Sequence, residues 1–425
     1  MQWCHLLDIW LNKVRSGSIK GSVFNLIWGI LGTGMLTLPV VCHLNGIIVG
    51  LALIILGGFI TKFSSMWIVI ASGKVNSDSI ELMAEAAFGP LVSKIASYSM
   101  IMWLLGYVVS YTIVIKTLLP YLIKRIANNQ IPQSFVNNES LISIIIPVAY
   151  TLLILLPFSL PRKIGALRFT SLLGFICWLF LVGVITCIFI FDRTIVPQPI
   201  ESLKVASYFK FSPDGMITTF PFIIYSYMYQ PMVPTIYKNL EKRNLSRMEK
   251  VLIRGTYSSV ILYLMIAVFG YLTFVNNEKQ LLILEKTQNI LELDYQQNIY
   301  FDISLFGLAF TLMVAGPVSM IPCKDTIEDV LFGEAMTDLQ NVLISILLTW
   351  FWCACALILP GIADILTILG LTCNPLTGYF LPILIFLKLS HDSSIIMKAT
   401  SVVILVVTFS FSVYGIYNYI ALKIS

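Results

Sequence analysis

The residues best placed for chemistry lie in an apolar run from Gly21 to Gly46, which is long enough to cross a bilayer. Gly32-Thr33-Gly34 and Pro39 interrupt it, although each interior glycine costs a helix about 1 kcal/mol and a proline about 3 kcal/mol. Unpaired backbone groups are expensive in lipid, so a broken membrane helix is expected where those groups meet a ligand. The pattern therefore predicts a binding site within the membrane.

The second half of the broken span suits a negative charge. A half-helix that begins near Thr33, Gly34 and Met35 presents free N–H groups and a positive dipole end, which favour a carboxylate. Gly32 and Gly34 let another group approach the backbone closely. We take these four residues as candidate substrate ligands.

A second polar interruption occupies residues 218–231, where two prolines enclose three tyrosines, a serine and a glutamine. Such polarity inside a membrane is costly unless it faces a cavity. Taken alone, the pattern is equally typical of a proline-kinked helix packed by aromatic side chains. Unwound carbonyls near Tyr225 and Ser226 would suit an ammonium group, and Tyr225 and Tyr229 indicate aromatic walls for a side-chain pocket.

The other reactive residues form no enzyme-like pattern. His5, His43 and His391 are scattered without metal-ligand spacing, and the eight cysteines lie mostly in apolar runs, which predicts no disulfide framework. We find no Ser/His pair and no deep carboxylate pair. We therefore expect a protein that is not an enzyme and that holds no metal and no cofactor. The net charge of +5 does not indicate nucleic-acid binding, because the basic residues lie in short loops.

Composition places the elements that carry these residues in a membrane. Of 425 residues, 58% are hydrophobic and 12% charged, against about 25% charged in soluble domains. We predict an all-α polytopic membrane protein with a cytosolic lead-in at residues 1–20 and one transmembrane domain at 21–425. About eleven spans are long enough to cross: 22–42, 46–71, 90–120, 141–160, 166–191, 215–237, 251–275, 300–323, 340–360, 362–388 and 397–420.

Loop charge sets the predicted orientation. With the N-terminus in the cytosol, 17 basic residues fall on the cytosolic side and 9 on the outer side, and Lys62 lies within span 2. This excess agrees with the positive-inside rule. The two interruptions then fall in spans 1 and 6, which are corresponding members of two five-span halves. Paired interruptions of this kind are the best sequence indication of a transporter site.

Three stretches resemble the amino acid/auxin permease family, which includes sodium-coupled and proton-coupled amino acid transporters and vacuolar amino acid permeases. They are FNLIWGILGTGMLTLP in span 1, the passage from QPMVPTIYKNLEKRN in span 6 to GYLTF at the end of span 7, and PGIADILTILGLTCNPLTGYFLPILIFLKL in span 10. The resemblance covers Gly21 to Leu389. It implies a leucine-transporter-like fold, a 5+5 inverted repeat (about 22–191 and 215–388) plus span 11. It also implies a free α-amino acid as the substrate.

The sequence departs from this family where sodium would bind. Sodium-coupled members carry an asparagine four residues before the first glycine of the span 1 motif, and Trp28 stands at that position. An indole offers no oxygen to a hard cation, so we expect sodium coupling less than proton coupling. Asn25 lies nearly one turn away and could substitute. Thr311 and Ser319 of span 8 are hydroxyl candidates, although serine and threonine in a helix often only bond the preceding turn.

A proton-coupled carrier needs a titratable group in the path, and few are present. Asp302 lies near the outer start of span 8 and Asp364 near the outer start of span 10, where a helix-capping role competes with coupling. A facilitator without a coupling ion is therefore an alternative to a symporter.

We predict a secondary active or facilitative amino acid transporter that works by alternating access and holds its substrate at the breaks of spans 1 and 6. The alternative from another class is a non-transporting amino acid sensor of the same fold. The expected location is the plasma membrane or a vacuolar or lysosomal membrane. The expected partners are the amino acid and the lipid bilayer, and the sequence defines no oligomeric state.

Overall fold

The computed structural model describes residues 17–126, 139–162, 167–333 and 335–424. In these ranges all regular secondary structure is helical. Within these described ranges, nine helices and one bent helix pair are long and apolar enough to cross a membrane. The chain is therefore an all-α polytopic membrane protein, which confirms the predicted class. Most of the predicted lead-in, residues 1–16, lies outside the described part of the chain.

We keep the names span 1 to span 11 for the helical segments at the predicted positions. The nine single candidates are spans 2 to 5 and 7 to 11, in order Ile47–Val75, Pro90–Arg125, Leu141–Ser159, Leu172–Phe191, Leu245–Phe274, Ile299–Leu331, Asp338–Ile358, Ile362–Leu389 and Ile395–Ala421. Span 1 is the bent pair, Ile19–Ile30 and Thr33–Asn45. Three further α-helices of the described residues lie between spans: Ile80–Phe88, Pro199–Val205 and Glu278–Thr287.

Span 6 does not form one continuous helix. It consists of Pro213–Ser226, a 3-10 turn at Gln230–Met232 and the short helix Val233–Lys238. Neither α-helix is long enough to cross a membrane alone, since a crossing needs roughly 20 residues. The total of eleven spans and the 5+5 repeat therefore remain predictions.

Polar residues start several of these helices by accepting hydrogen bonds from N–H groups that the helix itself cannot satisfy. The side chain of Ser18 accepts from the N–H of Gly21 at the start of span 1, and Asn244 accepts from Arg247 at the start of span 7. At the start of span 9, Thr337 and Gln340 cap each other's backbone reciprocally. The chain thus marks its own span ends with local capping signals.

Side-chain pairs join spans that end on the same face of the bundle. On the face that carries the described N-terminus, called here the N-terminal face, Lys238 pairs with Asp78 at 2.6 Å and Lys74 with Asp392 at 3.0 Å. On the opposite face, Arg125 pairs with Asp302 at 2.8 Å, and Asn298 donates to Asp192. These charges lie at the ends of the helices, away from the mid-membrane breaks.

One cation is buried inside the bundle near the N-terminal face. Lys324 of span 8 is 2% exposed. Its ammonium donates to the carbonyl of Ser159 at 2.6 Å, to Oδ1 of Asn341 at 2.7 Å and to the hydroxyl of Ser345 at 3.3 Å. Asn341 also donates to the carbonyl of Leu160. All three N–H groups are satisfied, and the charge lies at the negative C-terminal end of span 4. We call these residues the lysine cluster.

Candidate functional site

Span 1 breaks where the glycine motif predicted. Its first helix, Ile19–Ile30, is followed by Gly32 in fully extended conformation (φ −164°, ψ −168°). A 3-10 helix, Thr33–Thr37, then starts the second half, which is bent by 53° from the first. No side chain caps this 3-10 helix, and the first N–H groups of any helix have no acceptor within it. The N–H of Met35 already has a hydrogen-bond partner, because it donates to the carbonyl of Gly32 at 3.1 Å.

The two glycines of the motif have different surroundings. A Cβ added to Gly32 would meet no atom within 4 Å. A Cβ on Gly34 would lie 2.5 Å from Oγ of Ser226, 2.9 Å from its Cα and 2.9 Å from the ring of Tyr225. Gly32 therefore borders open space, whereas Gly34 lets span 1 pack closely against the end of the first half of span 6.

The helical structure of span 6 is interrupted beside the break of span 1, where Gly34 packs against Ser226. Its first helix ends at Ser226, and residues 227–229 have no helical conformation before the 3-10 turn that begins at Gln230. The hydroxyl of Ser226 donates back to the carbonyl of Phe222 at 2.6 Å. The carbonyl of Ser226 lies at the C-terminal end of its helix, where carbonyls have no N–H partner within the helix.

Three hydroxyl groups connect spans 1, 3 and 6 beside the breaks. The oxygen of Tyr225 lies 2.9 Å from that of Ser110 and 3.3 Å from that of Thr33, and the oxygens of Ser110 and Thr33 are 3.1 Å apart. The ring of Tyr225 also stacks on Tyr107 of span 3 at a centroid distance of 5.0 Å. Thr33, Ser110 and Tyr225 are all buried. We call them the hydroxyl triad.

A tyrosine of span 7 connects the two breaks. The hydroxyl of Tyr263 lies 2.7 Å from the carbonyl of Ile30 and 2.7 Å from the carbonyl of Ser226. Both carbonyls are at C-terminal, negative ends of half-helices. A hydroxyl has one hydrogen and donates to one of them at a time. The second carbonyl is therefore free to accept from another donor.

A cavity of about 590 Å³ reaches the breaks from the N-terminal face. At its inner end it is lined by Leu31 and Gly32 of span 1 and by Pro231 and Met232 of span 6. At its mouth it is lined by Gly17, Asp78, Ser79, Glu81 and Asn239. Thr33, Gly34, Met35, Tyr225 and Ser226 are buried beyond its inner end. The breaks are thus reachable from the N-terminal face and covered on the opposite side.

Of the seven predicted binding residues, Gly32 lines the cavity and the other six do not. Met35 is completely buried and does not line the cavity. Tyr229 is also buried, and its hydroxyl is 2.7 Å from Oγ1 of Thr256 in span 7. The aromatic lining comes instead from spans 1, 3, 5 and 8: Trp28, Trp103, Tyr107, Tyr111, Trp178 and Phe310.

Asn25, Trp28, Thr311 and Ser319 all line the cavity. The indole of Trp28 fits against Gly174 of span 5, because a Cβ there would lie 2.2 Å from the ring and 2.8 Å from the methyl group of Thr311. The hydroxyls of Thr311 and Ser319 donate to the carbonyls four residues earlier, at 2.8 and 3.0 Å. The ring of Trp28 and the methyl group of Thr311 therefore meet at Gly174, and both are apolar.

The two candidate acids lie at the opposite face and do not line the cavity. Asp302 accepts from Arg125 at 2.8 Å and from the hydroxyl of Tyr121 at 3.0 Å. Asp364 accepts from the hydroxyl of Tyr419 and from Lys423, both at 2.9 Å. No side chain bonds the N-cap of the helix that contains Asp364. Both carboxylates therefore connect neighbouring spans, and Asp364 does not cap its helix.

At the mouth, Asp78 accepts a hydrogen bond of 2.6 Å from Lys238, which lowers the pKa of Asp78 from its ordinary value of 3.8. Because the pKa of Asp78 is lower in the folded chain than its ordinary value, ionisation of Asp78 stabilises the folded state at any pH above that ordinary value. This contribution to stability is lost only as the pH falls through the lower pKa of the folded state. Asp78 is consequently ionised between pH 5 and pH 8. The ion pair between Asp78, in the loop after span 2, and Lys238, at the end of span 6, therefore persists across that pH range.

Sequence reasoning missed Tyr263, Ser110 and the aromatic residues of span 3. A usable signal existed in span 7, because Thr256, Ser259 and Tyr263 recur at helical spacing and are all fully buried. No comparable signal marks Ser110, since a single serine in an apolar helix more often bonds the preceding turn.

A comparison with known protein families finds a match over almost the whole chain. Residues 15–421 match the family described as "Transmembrane amino acid transporter protein". This range includes both breaks, the cavity lining and the lysine cluster. The family consists of transporters, which fits the expectation that the chain is not an enzyme.

Proposed function

Because the chain belongs to the transmembrane amino acid transporter family, we propose that it binds a free amino acid between the breaks of spans 1 and 6 and moves it by alternating access. The observation that carries the proposal is the cavity that begins at the N-terminal face and ends at Gly32, inside the break of span 1, and at Met232, three residues after the irregular segment 227–229 of span 6. A zwitterion needs one anion site and one cation site a few ångströms apart, and the two breaks supply backbone groups of both kinds.

The carboxylate is assigned to the start of the 3-10 helix Thr33–Thr37. Its first N–H groups lack helical acceptors, and its dipole is positive at this end. Gly32 is the residue through which the ligand approaches, because it lines the cavity and has open space above its Cα. Gly34 contributes by allowing spans 1 and 6 to pack.

The ammonium group is assigned to the carbonyls of Ile30 and Ser226. Each lies at a negative helix end, and Tyr263 satisfies only one of them at a time. A bound ammonium would donate a hydrogen bond to whichever of the two carbonyls the hydroxyl of Tyr263 does not reach with its hydrogen. Tyr263 then acts as a positioning residue that holds the two carbonyls together.

Alternating access requires that the breaks be open to one face at a time. In the present conformer the hydroxyl triad and the stack of Tyr225 on Tyr107 cover the breaks on the opposite side. If the N-terminus is cytosolic, as the loop charges predict, this conformer faces the cytosol. Substrate release to the other side would require Thr33, Ser110 and Tyr225 to separate.

For coupling we propose that sodium is not required. The position expected to supply an asparagine oxygen holds Trp28, whose ring packs against Gly174 and Thr311. Proton coupling through Asp302 or Asp364 would have to act from ion pairs at the opposite face. Transport without a coupling ion is the form that this arrangement favours.

The test is uptake of labelled amino acids into proteoliposomes that contain the purified full chain, with sodium and proton gradients imposed separately. Equilibrating uptake without either gradient supports facilitated transport. Accumulation driven by a proton gradient would make Asp302→Asn and Asp364→Asn the next variants, and accumulation driven by sodium would refute the role given to Trp28. Saturable binding without flux would replace the transporter by the sensor.

A further inference from the structure

The side chains around the inner cavity carry almost no charge. Among the described lining residues, the carboxylates are Asp78 and Glu81, and both lie at the mouth. Asp78 is paired with Lys238, and Glu81 accepts from the hydroxyl of Ser79 at 2.6 Å. Among the residues that the structure describes, no lysine or arginine lines the cavity. A charged substrate side chain inside the cavity would therefore lose its hydration without gaining an ionic partner, which is costly.

Six large aromatic residues line the cavity. They come from four different spans, namely spans 1, 3, 5 and 8. Trp103 meets Tyr107 edge to face at 5.2 Å, Tyr107 meets Tyr111 edge to face at 6.0 Å, and Tyr107 stacks on Tyr225. The rings thus hold one another in fixed orientations.

Rings in fixed orientations favour a flat apolar ligand. A further aromatic ring can join such an array by offset stacking or by an edge-to-face contact, and it gains more than its buried area alone provides. A short side chain such as that of alanine would leave most of this wall without contact, and such gaps forfeit dispersion energy.

We propose that the preferred substrates are amino acids with a large, uncharged aromatic side chain. The substrate ring is held against the three aromatic residues that span 3 contributes to the cavity, Trp103, Tyr107 and Tyr111. The inference rests on the proposed function, because it assumes that the α-carboxylate and α-ammonium occupy the breaks. It adds the substrate class and the residues that select it.

Trp103 is the residue whose ring sets this preference. It lines the cavity and is 7% exposed, and its indole N–H has no hydrogen-bond partner. Its replacement therefore removes ring surface from the cavity wall. Tyr107 is less suited to a test, since its hydroxyl also donates to the carbonyl of Met228 at 3.3 Å.

Trp352 of span 9 supplies a matched control. It is fully buried, its indole N–H is equally without a partner, and it does not line the cavity. Replacing Trp103 or Trp352 by leucine removes the same atoms, but only the first change alters the cavity wall.

The experiment compares uptake of phenylalanine, tyrosine, tryptophan, leucine, alanine, glutamate and lysine by proteoliposomes that contain the full chain, Trp103→Leu or Trp352→Leu. We expect phenylalanine to be taken up with the highest kcat/KM and glutamate and lysine to be excluded. In Trp103→Leu the ratio of phenylalanine to alanine kcat/KM should fall about 10-fold, whereas Trp352→Leu should keep the ratio of the unmodified chain.

The possible failures can be told apart. Preferential uptake of alanine, glutamate or lysine would overturn the aromatic class but leave the transporter intact. If the unmodified chain neither bound nor took up any amino acid of the panel, the proposed function itself would be overturned. Equal selectivity ratios in Trp103→Leu and the unmodified chain would remove Trp103 from the selecting wall, and if Trp103→Leu does not fold, Trp103→Phe gives the same comparison with a smaller ring.

Discussion

The break in span 1 and the lysine cluster both bury polar groups within the bundle, but they differ in how many of those groups have partners. In the lysine cluster every N–H of Lys324 has an acceptor at 3.3 Å or less, and all the acceptors belong to neighbouring spans. At the break, Gly32 faces open space, and two carbonyls share the one hydroxyl hydrogen of Tyr263.

This difference separates structure from function among buried polar groups. A network with all partners present stabilises the packing of the spans that supply them. A group that lacks a partner is tolerated inside a membrane only where something else, such as a ligand, can satisfy it. The lysine cluster is therefore expected to control stability, and the break is expected to control transport. Four substitutions test that division.

The largest effect is expected at Gly32. The Cβ of Gly32→Leu would meet no atom within 4 Å, and the side chain would occupy the open space beside the break. Uptake should fall at least about 100-fold because a ligand loses its close approach to the backbone. The melting temperature should not change. Uptake and thermal unfolding are measured together.

Gly183 of span 5 is the matched control for Gly32, because a Cβ there also meets nothing within 4 Å and the residue does not line the cavity. Gly183→Leu should transport normally. Normal uptake in Gly32→Leu would remove the site from this break. Gly34→Val is a poorer test, since its Cβ meets Ser226 and Tyr225 and a loss of uptake would also follow from disturbed packing.

The next effect is expected at Lys324, on stability. Lys324→Met removes three hydrogen bonds from a buried cation and leaves Asn341 and the end of span 4 unsatisfied, which should cost about 2–4 kcal/mol. The melting temperature in detergent should fall, while uptake per folded molecule stays within about twofold of the unmodified chain. The double variant Lys324→Met/Asn341→Leu should recover part of the loss, because it also removes the amide oxygen of Asn341 that Lys324→Met leaves unpaired, while the carbonyls of Ser159 and Leu160 still lack their donors. A specific loss of uptake at unchanged melting temperature would contradict the structural role.

Tyr263→Phe should have an intermediate effect on transport. It keeps the ring but removes the hydroxyl that connects Ile30 and Ser226, so kcat/KM should fall about 10-fold, in line with about 1–1.5 kcal/mol for a buried hydrogen bond. The control is Tyr295→Phe, because the buried hydroxyl of Tyr295 has no partner to lose. Equal kinetics in the two variants would exclude Tyr263 as the residue that holds the carbonyls.

The smallest effect is expected at the mouth of the cavity. Asp78→Asn removes the bridge to Lys238, and solvent-exposed pairs of this kind contribute at most about 1 kcal/mol. Uptake should change less than about threefold, and the unmodified chain should show no titration of this bridge between pH 5 and pH 8, because the pKa of Asp78 lies below 3.8. A step in the rate within that range that disappears in Asp78→Asn would show that the bridge controls access.

The sequence predicted the helical class and most of the helix positions, because a bilayer demands about 20 apolar residues for each crossing and that requirement acts on each segment separately. Predicted span 10 at 362–388 corresponds to Ile362–Leu389, and predicted span 5 at 166–191 to Leu172–Phe191. Span 8 extends to Leu331, beyond its apolar run, because charged residues can continue a helix past the membrane. The glycines and prolines also located both interruptions, since their backbone preferences are local.

What the sequence could not determine is which groups meet across the bundle. The contact of Tyr263 with Ile30 spans 233 residues, and that of Tyr225 with Ser110 spans 115. Such contacts depend on how the helices pack. The same holds for Gly32 and Gly34, which are equivalent in the motif and differ only in whether a neighbouring span covers them. Local chemistry thus fixed where the backbone breaks, and tertiary packing decided which of its free groups remain open to a ligand.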